Sequence, residues 1–132
     1  PRIYPSVRNR TFLYVPHDCY LTKITEQLVP YAYVQECGNH TDTQWFTITN
    51  ADGHGFRFAA EQMDFSALPY TPHQLEQAYH LQELPRSYRN VVRISAGEMG
   101  VGGDDSWGAT VHPEFTRQSK TGLSFTFRMT AI

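Results

Sequence analysis

The sequence predicts an all-β domain, an antiparallel β-sandwich carrying one short helix, and three observations predict it. Eight Phe and eight Tyr help bring aromatics to 14 % of the 132 residues, a content that suits pleated, half-buried surfaces better than a helical bundle. Two apolar runs flank Ala51-Asp52-Gly53-His54, and Asp-Gly between such runs is a strong hairpin signal. Near the end of the chain Leu123, Phe125, Phe127 and Met129 alternate with Ser124, Thr126, Arg128 and Thr130, the period of a strand with one buried face.

The elements follow in order. Arg10 to Val15 has the aromatic and β-branched content of a strand, and Pro16 ends it. Leu28 to Gln35 contains Pro30 and reads as an edge or irregular extended segment. Glu36 to Asp42 reads as a polar turn built on Gly38 and Asn39. The hairpin strands are Gln44 to Asn50 and Gly55 to Ala60. Alternation puts Trp45, Thr47 and Thr49 on one face, with Phe46 and Ile48 on the other, and Phe56 and Phe58 on one side of the returning strand. Trp45 is expected in the core, as aromatics in strands generally are. The helix begins at Thr71, with Pro72 in the first turn and Gln74 completing a capping box. Leu75, Ala78, Tyr79 and Leu81 follow at helical spacing, and Pro85 forbids continuation. Tyr88 to Ser95 is a strand that feeds a glycine-rich loop through Ala96-Gly97. No repeats or low-complexity segments interrupt this order, and the length fits one domain, 1–132, or part of one. The chain opens at Pro1 without Met, so it is expected to be a piece of a longer protein.

Charge and cysteine content exclude several classes. A formal charge of -2 with scattered Arg residues leaves no electrostatic footprint for nucleic acid or an anionic membrane. No apolar run approaches the ~20 residues of a membrane span, and no leader pattern opens the chain. A soluble, cytoplasmic protein is expected. Cys19 and Cys37 form neither a disulfide framework nor a metal-binding spacing, so both are expected reduced. The Asn9-Arg10-Thr11 and Asn39-His40-Thr41 triplets match the glycosylation pattern, but a pattern that short recurs by chance.

The stretch with most chemical character is Met99 to Phe115, which holds Gly100, Gly102, Gly103 and Gly108, the carboxylates Asp104 and Asp105, Trp107, and the step His112-Pro113-Glu114. Glycines permit unusual backbone angles while Asp and Ser bond their own backbone, so this is a shaped and internally satisfied loop. Trp107 has two readings: a plug under the loop, or a flat platform for the apolar face of a ring. Asp104 and Asp105 are adjacent and point apart if extended, which suits turn support better than paired acid-base work. His112 and Glu114 face the same way if extended, yet two candidate ligands do not make a metal site, and His17, Asp18, Cys19 and His40 show no spacing to complete one. His54, His73 and His80 read as solvated.

Gly100-Val101-Gly102-Gly103-Asp104-Asp105-Ser106-Trp107, with Val111, Glu114 and Phe115, resembles the C-terminal signature of the large bacterial β-galactosidases of glycoside hydrolase family 2, in the domain also called the small chain. A second block, Glu36-Cys37-Gly38-Asn39 with Thr41-Asp42 and Trp45, resembles the E-N-G-N-x-T-D-x-x-W segment of that domain. The opening Pro1 to Pro5 departs from the family, with Ile3 and Ser6 where a Glu and an Asp are usual, and no site is carried from it. The resemblance implies a supersandwich of the galactose-mutarotase kind, of which this chain supplies about half the length. It implies that Trp107 binds substrate in the acceptor subsite, that Gly102, Gly103 and Asp105 shape its loop, and that the catalytic glutamates lie in a barrel domain outside this chain. Magnesium and sodium are implied for the whole enzyme, with no cofactor or metal ligand in this portion. The implied partners are the remaining domains or a large subunit, with apolar surface left for self-association. A free-standing carbohydrate-binding module, a mutarotase-like epimerase using His112 and Glu114, and a purely structural interaction domain are the alternatives.

Overall fold

The computed structural model describes residues 10–14, 19–29, 37–99, 103–105, 107–117, 122 and 124–132. Its strands are β1 (Arg10–Tyr14), β2 (Cys19–Lys23), β3 (Asn39–Thr49), β4 (Gly55–Leu68), β5 (Val91–Ser95) and β6 (Arg128–Ala131), and its one α-helix is α1 (Pro72–Gln77). All pairings are antiparallel, in the order β2-β1-β3-β4-β5. The second edge of β4 is shared: β5 lies along residues 64–68 and β6 along residues 56–59. The class is the expected one, all-β and antiparallel with a single short helix.

The hairpin between β3 and β4 is where expected, closed by side-chain as well as backbone bonds. Asn50 Oδ1 accepts the N–H groups of Asp52 and His54, each at 3.0 Å. Gly53 takes a φ of 87°, which a side chain would resist. Both strands outrun the sequence reading. The supposed polar turn at 36–42 is strand from Asn39 onward, while Glu36 lies outside the described residues. Its polar character reflects an irregularity instead: the register shifts between His40 and Thr43 and again between Thr43 and Trp45, and Asp42 has a φ of 54°. A bulge of this kind changes which face a strand presents. Phe58 and Met63, an odd number of residues apart, accordingly join one core with Phe46, Phe65 and Ala67. The rings of Phe46 and Phe65 stack with centroids 3.7 Å apart, and Phe46 also stacks on Phe58 at 4.7 Å.

Residues 63–68 of β4 are buried on both faces. Met63, Phe65 and Ala67 face the first core, to which Ile24 contributes from a short 3-10 turn. Leu68 joins Leu75 and Ala78 in a second cluster under α1. Thr71 caps that helix, its Oγ1 accepting the Gln74 N–H at 3.2 Å while Gln74 Oε1 accepts the Thr71 N–H at 2.9 Å. The helix stops at Gln77, because Ala78 is extended and Glu83 Oε2 accepts the Tyr79 N–H at 2.9 Å. Tyr79 and Leu81 are therefore exposed and not on a helical core face.

Other expectations are corrected by packing. Trp45 lies outside both buried clusters, half-covered by the Arg57 guanidinium 4.5 Å from its ring. The strand expected from Tyr88 begins at Val91. The final alternating run is strand only over β6, exposed at every position, with Phe125 alone of its described aromatics packed on the core; Leu123 lies outside the described residues. β2 was not foreseen, and of the segment 28–35 only 28–29 are described, neither in a strand. His40 Nε2 lies 2.7 Å from Gln27 Oε1, an amide oxygen that only accepts, so that nitrogen carries the proton. Its ring stacks on Phe65, and burial pushes its pKa below the ordinary histidine value.

Asp64 ties this framework to the loop beyond β5. It is 6 % exposed; its Oδ1 accepts the Asp42 N–H at 3.1 Å and its Oδ2 accepts the Glu98 N–H at 2.9 Å. Removing the carboxylate strands two backbone donors. Asp64→Ala is expected to cost about 2–4 kcal/mol in urea unfolding, and Asp64→Asn, which keeps one acceptor oxygen, about half of that. A loss below ~0.5 kcal/mol for Asp64→Ala would contradict this role.

Candidate functional site

The loop that leaves β5 is anchored at its base before it reaches its glycines. Ser95 Oγ donates to Glu98 Oε1 at 3.0 Å, Arg93 Nη2 lies 3.7 Å from the same oxygen, and the Glu98 N–H is held by Asp64. Gly97 has a φ of 151°, and the Arg117 guanidinium occupies the space where its Cβ would stand. The outgoing and returning ends of the loop thus meet at Gly97 and Arg117.

Further out, the two limbs touch again. A Cβ on Gly103 would sit 2.5 Å from the Thr110 carbonyl oxygen and 2.7 Å from Ala109 Cβ, so only glycine allows this approach. Asp105 turns inward upon its own loop: its Oδ1 accepts the Trp107 N–H at 2.8 Å and the Ala109 N–H at 3.2 Å. Gly108 between them has a φ of 105°. Gly102, expected to share in shaping the loop, and Ser106 lie outside the described residues.

The indole carried by this turn is almost wholly in solvent, with Trp107 93 % exposed. A plug under the loop is not what the geometry gives; a free aromatic face on an internally bonded turn is. Such a face can stack on the C–H side of a sugar or on another ring.

The acidic and basic candidates do not assemble into a proton-transfer pair of the expected kind. Asp104 Oδ1 lies 2.8 Å from His112 Nε2. His112 and Glu114 are not consecutive same-face residues of a strand, because Pro113–Phe115 form a 3-10 turn. Glycosidic hydrolysis needs two carboxyl groups flanking one bond, ~5 Å or more apart with a sugar between them. Here one carboxylate faces an imidazole and its neighbour faces backbone amides. Among the described residues no group of three or more His, Cys, Asp and Glu side chains could hold a metal ion. The histidines at 54, 73 and 80 are exposed, His80 beside Glu83 at 3.1 Å. Cys37 is a free, half-buried thiol. Cys19 is described only in its backbone.

Two features were missed by sequence reasoning. Asp64 stands in Met63-Asp64-Phe65-Ser66-Ala67-Leu68, where a buried acid inside an apolar run is the available signal. The tie between Asp104 and His112 left no signal in spacing, since it crosses a loop.

The family model described as β-galactosidase small chain matches residues 15–129. A β-galactosidase of Priestia megaterium is 44 % identical over 107 residues, covering 80 % of this chain and 10 % of that protein. A β-galactosidase of Streptococcus thermophilus is 39 % identical over 110 residues, 82 % of this chain and 11 % of that protein. A β-galactosidase small subunit of Latilactobacillus sakei is 33 % identical over 114 residues, 77 % of this chain and 36 % of that protein. The chain therefore spans about a tenth of the length of the first two relatives.

The bonded turn has a direct test in amide exchange. Asp105→Ala removes the acceptor of two amides, and the Trp107 and Ala109 N–H groups are expected to exchange roughly ten-fold faster. Gly103→Ala pushes the limbs apart and should accelerate the same two amides. Unchanged exchange in both variants would show that neither residue holds the turn.

Proposed function

The chain belongs to the β-galactosidase small-chain family, and we propose that it is the C-terminal portion of an enzyme that hydrolyses terminal β-galactosides such as lactose. Within that enzyme it supplies scaffold and one substrate contact. The observation that carries the contact is the 93 % exposure of Trp107 on a turn whose backbone is bonded on both sides of it.

In this reading Trp107 lies at the acceptor subsite, where its indole covers the apolar face of the leaving sugar or of an incoming acceptor. It positions; it transfers no proton. Asp105 and Gly103 act one step behind it, and Gly102 is proposed to join them, by holding the loop at the height the ring needs. Sub-ångström placement matters at such a site, since a misaimed platform loses contact area with a rigid ring. Hydrolysis with retention requires an acid and a nucleophile, and Asp104 and Asp105 already have other partners. The catalytic glutamates, which the resemblance implies in a barrel domain, are proposed to lie outside this chain. Magnesium and sodium, which the resemblance implies for the whole enzyme, are proposed to bind in those other domains.

The partner is the remainder of the enzyme, as further domains of one chain or as a large subunit. Phe56, Phe127, Met129 and Ile132 are exposed at and beside β6, apolar surface of the sort a neighbouring layer covers. The second layer of the sandwich is proposed to come from that remainder. No helix among the described residues is long and apolar enough to cross a membrane. With Cys37 a free thiol, a reducing cytoplasmic setting is the compartment proposed.

The test is hydrolysis of a chromogenic β-galactoside by this chain, by the remainder of the enzyme, and by the two together. Activity is expected only in the mixture. In the assembled enzyme Trp107→Ala should weaken binding of an added sugar acceptor roughly ten-fold. Turnover by the chain alone would refute the assignment of catalysis elsewhere. Galactoside affinity in the isolated chain, together with a mixture that associates yet stays inactive, would favour a free-standing binding module.

A further inference from the structure

We propose that Asp104 and His112 form a positioning pair that sets the aim of Trp107, so that acceptor binding depends on two side chains that touch no sugar. The proposal rests on the acceptor-subsite reading of Trp107 given above. Its starting point is a mechanical one: a side chain 93 % exposed is oriented through its backbone alone, so whatever spans the loop around it controls where the ring points.

Among the described residues, three ties brace the loop beyond the meeting of Gly97 with Arg117, and they differ in kind. Gly103 against Ala109 and Thr110 is a close backbone approach. Asp105 bonds Trp107 and Ala109 within the turn itself. Asp104 Oδ1 to His112 Nε2, at 2.8 Å, is the widest of the three, bridging eight positions; it encloses the Asp105 turn and crosses the Gly103 contact. Without it the outer limb from Thr110 to His112 can swing about the Gly103 contact, carrying the turn with it.

Both ends of the pair stand on stiff supports. Asp104 lies between Gly103, wedged against Thr110, and Asp105, whose carboxylate is committed to the turn. His112 precedes Pro113 and has the extended backbone, φ -58° and ψ 142°, that a following proline demands. Pro113 in turn opens a 3-10 turn whose carbonyl accepts the Thr116 Oγ1–H at 2.7 Å. A short bond between two fixed supports restricts angle far more than the same bond between free side chains. The imidazole Nε2–H donates to the carboxylate whether or not Nδ1 is protonated, so the tie is a geometric device.

The pair is also accessible: the Asp104 side chain is 85 % exposed and that of His112 47 % exposed. Exposure limits its strength to a few-fold effect. It also means that substitutions here leave the two buried clusters untouched.

The experiment uses the complete enzyme, with a nitrophenyl galactoside as donor and glucose as the added acceptor. The apparent acceptor constant is measured for wild type, D104A, H112A, the double variant, H112Q and W107A. The expected result is a two- to five-fold weaker acceptor constant for each alanine single variant, converted from the ~0.5–1 kcal/mol of an exposed pair. The double variant should be no weaker than either single one, and H112Q, which restores an N–H near the position of Nε2, should return close to wild type. Turnover with water as acceptor should stay unchanged in D104A, H112A, the double variant and H112Q. Additive losses in the double variant, or alanine singles with wild-type acceptor constants while W107A is impaired, would overturn the pair and leave the subsite reading standing. A wild-type acceptor constant in W107A would overturn the subsite reading itself and the pair with it.

Discussion

A single buried carboxylate, Asp64, makes the loop beyond β5 part of the sheet. One oxygen holds the Asp42 N–H at the bulge of β3 and the other holds the Glu98 N–H where the loop departs. Burying a charge without partners is costly, so the site exists only if both amides arrive together. The bulge and the loop base are thus specified jointly, although they lie on opposite sides of β4. From that point the loop can be shaped outward: Arg117 closes over Gly97, Gly103 seats against Thr110, and the turn of Asp105 lifts Trp107 into solvent.

The long central strand explains why one acid can do this. Over residues 63–68 β4 is buried on both faces, with the stacked rings of Phe46 and Phe65 on one side and the cluster under α1 on the other. Asp64 and Ser66 are buried on the face opposite Met63, Phe65 and Ala67. The framework is most deeply buried where the loop attaches, while the residues of β6 are all exposed.

What could be read in the chain beforehand follows the locality of the interactions. The Asp-Gly hairpin and the Thr71-Pro72-Gln74 capping box depend on residues within a few positions of one another, and both appear as expected. Trp107, Gly103 and Asp105 were singled out because their residue types are costly unless a special conformation uses them. Long-range features were not legible. The bulge that turns Met63 to the same core as Phe58 breaks the period on which face assignment relies. Trp45 has the composition of a core residue but is only half-buried, with Arg57 over its ring. The alternation of Phe127 and Met129 predicts a buried face, but both residues are exposed.

In the function proposed for it, this chain's part is presentation of an aromatic ring. Asp104 is held by His112 and Asp105 by backbone amides, and Trp107 stands exposed on the loop that they brace. The most direct measurement is a structure of the complete enzyme with a disaccharide or acceptor analogue bound. The account predicts the Trp107 indole lying over a sugar ring with carbon atoms at van der Waals separation, roughly 3.5–4.0 Å. An indole packed into a domain interface, with the bound sugar out of its reach, would contradict it.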